Sequence, residues 1–216
     1  QKTAYEIRLS LVGSEMCIRD SFTPPLLKKT LLAIIFASVS LIGTWGAVQS
    51  IPAWVDTMSK DPTHKSYAQL ASAIGAIIGS IVAPLFGNLL GRRLSYFVLC
   101  VLSVGFCSYL YRGFDAYSTS FLVMVGLVGC VTAAFYGWLP LYLPELFPTR
   151  VRATGQGLSF NFGRIFTGVA VLNMGTLISY YGGKWSEMCA FLSLVYIFGM
   201  VFIWFAPETK GKPLPE

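Results

Sequence analysis

The sequence predicts an all-α integral membrane protein, and three observations predict it. Six apolar runs approach or exceed the ~20 residues that cross a bilayer as a helix. Charged residues make up only 12 % of the chain and hydrophobic ones 55 %, and the basic residues gather between alternate runs. A soluble domain carries about twice that share of charge. With a mean hydropathy of +0.64, a water-facing surface this poor in charge would aggregate, so lipid is the solvent that suits these residues.

The runs are 31–53, 67–90, 94–111, 119–143, 153–180 and 186–206. Each must be helical, because a chain in hydrocarbon has to satisfy its own backbone hydrogen bonds. The first closes on Ser-Ile-Pro-Ala-Trp at 50–54. The second carries Ala71, Gly75, Gly79, Ala83 and Gly87, one small residue every four positions. Such a stripe lets a neighbouring helix approach closely, either as static contact or as a surface that slides during rocking. The third follows after Gly91, Arg92 and Arg93. The fourth exits through Gly-Trp-Leu-Pro-Leu-Tyr-Leu-Pro at 137–144, aromatic and proline-rich like the exit of the first. That parallel fits an inverted three-plus-three repeat; proline near a helix exit is equally an ordinary stop signal. The fifth holds Arg164 and the sixth ends before Pro207. Trp54, Trp138, Tyr142 and Trp185, near run ends, suit interface anchors.

Lys28 and Lys29, Arg92 and Arg93, Arg150 and Arg152, and Lys210 and Lys212 all fall on one side of this six-span arrangement. Lys60, Lys65, Arg112 and Lys184 fall on the other, offset by Asp56, Asp61, Asp115 and Glu187. The richer side reads as cytoplasmic, which puts both ends of the six-span segment inside, in the plasma membrane. The formal charge of +6 is therefore a topology signal and not a nucleic-acid footprint. Cys100, Cys107 and Cys130 sit within apolar runs as small buried residues; Cys17 and Cys189 form no CxxC spacing with them. His64, the one histidine, has no ligand partners near it in sequence, so neither a metal nor a cofactor is expected.

Residues 1–21 match no part of this architecture. The string KTAYEIRLSLVGSEMCIRDS at 2–21 resembles a translated library adapter. The native frame is then expected to begin near Phe22, with an amino-terminal part missing and 22–216 forming the six-helix unit.

Three motifs converge: GNLLGRR at 87–93, LPELFPTRVRATGQG at 143–157 and PETKGKPLPE at 207–216. Together they resemble the carboxy-terminal half of the major facilitator superfamily, in the sugar-porter and organic-ion or metabolite:proton symporter branch. The last two motifs are specific in combination; the GRR step alone is weak. Where the family loop often opens with an aspartate, this chain has Asn88, so one carboxylate of the expected charge network is missing. The resemblance implies a twelve-helix fold in two halves, of which this chain is one, and alternating access by rocking of the halves. It also implies that Arg92, Arg93, Glu145, Arg150, Arg152 and Glu208 gather at the cytoplasmic face and latch the inner gate; the plainer reading makes the arginines topology anchors only.

Arg164 lies 11 residues beyond Ala153, roughly 16 Å along a helix, and so near mid-membrane. A charge there is expensive and faces a cavity or a partner. Asn161 shares its face. The pair could meet an anionic or hydroxyl-rich solute; alternatively Arg164 snorkels, or pairs with a carboxylate from the missing half. Trp45 and Gln49 in the first span and Tyr136 in the fourth are further candidates to line a cavity. No aspartate or glutamate lies in the middle of any span, so a coupling proton would be carried by the missing half. Transport of a small polar solute, a sugar or an organic acid, is the expected function, with an anion slightly favoured. A transporter-like sensor or scaffold is the alternative. An integral membrane enzyme is disfavoured by acid-free spans and a lone loop histidine.

Overall fold

The computed structural model describes residues 18–215. Among them the secondary structure is helical throughout, without strands. Five helical stretches are long and apolar enough to span a membrane, and a bent pair, counted as one span, makes a sixth. The chain is a membrane protein.

Span one is continuous over Leu26–Met58, longer at both ends than the apolar run. It opens as α1 (Pro24–Ile42), with proline in its first turn, and passes through a π-helical turn, Gly43–Ala47. A 3-10 turn, Val48–Ser50, leads into α2 (Ile51–Met58). Pro52 is the local cause of the irregularity: without an N–H it cannot serve the carbonyl of Val48, and the Ile51 N–H bonds there instead. That shift leaves the carbonyl of Ala47 to be taken up by the Tyr111 hydroxyl, at 2.9 Å.

Span two is α3 (Pro62–Leu90), capped by Asp61, whose side chain accepts from the Thr63 N–H at 2.9 Å. It ends at Gly91, whose φ of 92° is open to glycine at little cost. Span three is α4 (Arg92–Gly113). Span four is α5 (Thr119–Leu146), capped by Ser118 and running through Pro140 and Pro144, three residues beyond the expected end at Leu143. Arg152 Nε donates to the Pro144 and Phe147 carbonyls at its close.

The expected single run over 153–180 is bent. α6 (Arg152–Leu172) and α7 (Met174–Tyr180) meet at 46°. The Asn173 side-chain amide donates to the Val169 carbonyl at 2.7 Å, a side chain inserted into the helical ladder. Gly182 and Gly183, both at positive φ, turn the chain into span six, Trp185–Phe205, built from α8 (Trp185–Ser193), α9 (Val195–Phe202) and a closing 3-10 turn.

Span one packs chiefly on span five, and span two on span four. The second contact follows from the small-residue stripe. A Cβ on Gly75 would run into the Gly126 carbonyl, and one on Gly79 into that of Cys130. A Cβ on Gly87 would lie 2.8 Å from Leu141 Cδ2, and Ala83 is buried on the same face. Span four answers with its own glycines: Gly129 abuts the Ser72 carbonyl and Gly137 that of Ser80. Two apolar clusters result. One, around Phe36, Tyr96, Trp138 and Tyr196, lies toward the basic end; the other, around Trp54, Tyr111, Phe121 and Met188, toward the opposite end.

The aromatics expected at the interface are mostly interior. Trp138 and Tyr142 are 0 % exposed and Trp54 5 %; only Trp185 is half-buried. Their polar tips explain it: the Trp138 indole N–H donates to the Arg92 carbonyl at 3.2 Å and the Tyr142 hydroxyl to that of Pro207 at 2.6 Å. An aromatic with such a partner can be buried whole.

Candidate functional site

The basic clusters meet at one end of the bundle. Arg92, at the first position of α4, points its guanidinium at the end of α5. Its Nε lies 2.9 Å from Glu145 Oε2 and its Nη2 2.7 Å from Oε1. This is a bidentate pair, the geometry in which arginine binds carboxylate most strongly. Nη1 donates to the Gly87 carbonyl at 2.7 Å and to Asn88 Oδ1 at 3.0 Å, so the amide standing where the family motif often has an acid still holds the arginine.

Glu208, just past span six, places its carboxylate on the opening turn of α4. It accepts from the Arg92 and Arg93 N–H groups, each at 3.0 Å, where the helix N-terminus favours negative charge. It also accepts from the N–H groups of Thr209 and Lys210. Burial alone would push its pKa up; the donated N–H groups of Arg92, Lys210, Arg93 and Thr209 outweigh that and leave it below the usual carboxylate value. A Cβ at Gly91 would come within 3.2 Å of this carboxylate, a second demand on that glycine.

Arg93 Nε donates to the Ala206 carbonyl, and Lys210 Nζ to that of Leu89 at 2.8 Å. The Thr209 hydroxyl donates to Glu145 Oε2, closing a ring through Arg92, Glu145, Thr209 and Glu208. Arg150 and Arg152 occupy neighbouring positions. Arg150 reaches Asp20 at 2.6 Å, and Arg152 holds the Pro215 carbonyl at 2.9 Å besides those of span four. The Thr30 hydroxyl donates to the Ser21 carbonyl at 2.7 Å. The turns joining spans two to three and four to five, the approach to span one and the tail after span six therefore share one face. Cys17 and the rest of 1–17 lie outside the described residues.

At mid-depth a groove of about 710 Å³ opens between spans one, two, four and five. Trp45, Gln49, Tyr136 and Arg164 all line it, with Thr44, Phe160 and Thr167 among others. Trp45 is 52 % exposed into it. Asn161 is exposed on α6 but does not belong to the lining. The Arg164 guanidinium stands over the Phe160 ring, 5.0 Å from its centroid, within cation–π range. The Tyr136 hydroxyl is buried and has no hydrogen-bond partner among the described residues. A second hollow of about 460 Å³ lies toward the basic end, lined by Leu143, Ala153 and Gln156 among others, and shares Tyr136 and Phe160 with the groove.

Residue-by-residue reading missed Thr44, Phe160, Thr167 and Thr209. Phe160 and Thr167 stand four before and three after Arg164, the spacing of one helix face, and could have been found that way. The Thr209 bond depends on how span six ends against span four and left no local signal.

Comparison with known proteins agrees with this architecture. The family model for sugar (and other) transporters matches residues 97–216. Over 198 residues the chain is 26 % identical to a probable 4-methylmuconolactone transporter of Cupriavidus pinatubonensis, covering 89 % of the chain and 46 % of that protein. It is 27 % identical over 220 residues to solute carrier family 22 member 27 of Mus musculus, covering 100 % and 37 % respectively. It is 26 % identical over 173 residues to the facilitated trehalose transporter Tret1 of Bombyx mori, covering 74 % and 33 %. The chain thus spans less than half the length of these relatives. With the family model matched over more than half of its residues, this chain belongs to the sugar (and other) transporter family.

Proposed function

We propose that residues 22–216 are the carboxy-terminal six-span half of a twelve-span secondary transporter or facilitator, moving a small polar solute by alternating access. The observation that carries the reading is a charged side chain at membrane depth, Arg164, facing an open groove furnished with Trp45, Gln49 and Tyr136. A mid-span charge is retained where it meets a water-filled cavity, a partner or a substrate.

The pairing of span one with span five and span two with span four supports an inverted three-plus-three repeat, since exchanging the two triplets maps one contact onto the other. The share of each relative that the chain covers supports a missing amino-terminal half as its partner, closing the groove from the open side. The Arg92–Glu145–Glu208 cluster supports a latch at the inner gate, with the basic face and both ends of the segment cytoplasmic in the plasma membrane. Arg164 favours an anionic solute such as an organic acid over a neutral sugar. Where transport is proton-coupled, the titrating group belongs to the amino-terminal half.

The test is uptake into proteoliposomes holding the full-length transporter that carries this chain, with a panel of radiolabelled carboxylates and sugars. Saturable uptake of a carboxylate, lost in Arg164→Gln with normal insertion, is the expected result. Solute binding without flux by any panel member would replace the transporter reading with that of a sensor built on a transporter fold.

A further inference from the structure

We infer that Phe160 is a positioning residue: its ring seats the Arg164 guanidinium in the groove, and so sets the affinity for an anionic solute. The inference rests on the reading of the groove as a solute site and deepens it.

Phe160 and Arg164 are one turn apart on α6, on one face, and the guanidinium carbon lies 5.0 Å from the ring centroid. Among the described residues Arg164 has neither a carboxylate partner nor a hydrogen bond; the aromatic ring is its direct contact. Phe160 is itself anchored, half-buried against the core cluster around Trp138 and Tyr142. It also lines both the groove and the hollow, as Tyr136 alone does besides it among the described residues. Both spaces border on these two rings, and the arginine lines the groove alone of the two.

The chemistry of the seat leaves the arginine free to bind. A ring holds a guanidinium by its flat face, and the five N–H donors point outward in the guanidinium plane. Ring and carboxylate therefore do not compete: one takes the face, the other the edge, where bidentate pairing occurs. Without the ring, a long flexible side chain at this depth swings along the helix toward the nearest water, and the donors no longer converge on the groove. Loss of a cation–π contact of this kind weakens anion binding by about 3- to 30-fold.

The experiment titrates benzoate and its neutral counterpart benzamide by calorimetry into the purified full-length transporter. Wild type, Arg164→Gln, Phe160→Leu and Phe160→Tyr are compared, with thermal unfolding as the check on folding. The expected result is weaker benzoate binding in Phe160→Leu, near-wild-type benzoate binding in Phe160→Tyr, which keeps the π face, and unchanged benzamide binding in both. If Arg164→Gln weakens benzoate and Phe160→Leu does not, the seat is overturned while the anion site stands. Equal weakening of benzoate and benzamide in Phe160→Leu, or no rescue by tyrosine, overturns it as well, as general damage to the cavity. If Arg164→Gln has no effect, or wild type binds no benzoate, the anion reading of the groove fails and takes this inference with it.

Discussion

Arg92 and Glu145 face each other in a two-bond pair across the ends of spans three and four, their side chains only 8 % and 15 % exposed. A pair so shielded behaves differently from a surface ion pair. Its net worth against two apolar side chains is small, but loss of one partner strands the other charge. Glu145→Gln is therefore expected to cost about 3–5 kcal/mol, measured as lowered thermal stability of the purified protein. Arg92→Met combined with Glu145→Met should recover most of it. If the latch reading holds, Glu145→Lys lowers solute uptake while leaving the protein inserted in the membrane; normal uptake would remove the latch.

Glu208 makes stability depend on pH in a definite direction. Its pKa in the folded protein lies below its ordinary value of 4.5, so its contribution is present in full above that value. The contribution is lost as pH falls through the lower, folded value. Stability measured from pH 7 downward should decline in the acid range, and Glu208→Gln should be less stable at neutral pH with a shallower decline. A decline of equal steepness in the variant would assign the acid sensitivity to other carboxylates.

A Cβ on Gly79 would run into the backbone of span four, whereas one on Gly105 would meet nothing within 4 Å. Alanine at 79 should destabilise by about 1–3 kcal/mol through overpacking. Alanine at 105, mid-helix and open, should be neutral or gain up to about 1 kcal/mol from helix propensity. Comparing the two melting temperatures separates close approach of helices from the general effect of removing a glycine.

Tyr111→Phe removes the donor that serves the Ala47 carbonyl and keeps the ring that packs on Trp54. A buried acceptor left without a donor costs about 1–3 kcal/mol. Thermal unfolding should report that loss, and hydrogen exchange should show it concentrated in the amides of 43–51. Uniform loss of protection across the bundle would contradict a local role for this bond.

Much of the framework was legible because bilayer solvent leaves few alternatives. Six apolar runs, the sidedness of the arginines and the small-residue stripe of span two all follow from requirements each segment meets by itself. Arg92, Arg93, Glu145 and Glu208 were legible as a group through the motifs that carry them, and Trp45, Gln49, Tyr136 and Arg164 through their depth. What stayed hidden depends on partners distant in sequence. Trp54, Trp138 and Tyr142 looked like interface aromatics because the carbonyls that receive the last two belong to other segments. The bend at Asn173 turns on one side-chain amide choosing a carbonyl four residues back. Span four's Gly129, Ala133 and Gly137 repeat every four residues as Gly75 and Gly79 do, but which helix they meet is visible only against Ser72 and Ser80. Asn161 was placed beside Arg164 by helical spacing, but a groove wall is narrower than a helix face.

The π-helical turn at Gly43–Ala47 makes span one a matter of phase. One residue beyond a regular turn rotates everything after it by roughly 100° about the helix axis relative to everything before. Phe36, in the core, and Gln49, on the groove, hold their compass bearings relative to each other through that turn and the 3-10 turn that follows it. Deleting Gly46 or Ala47 would remove no side chain that lines the groove. It would turn a different set of side chains toward the groove, so what the cavity offers a solute is written here in chain length as much as in amino-acid identity.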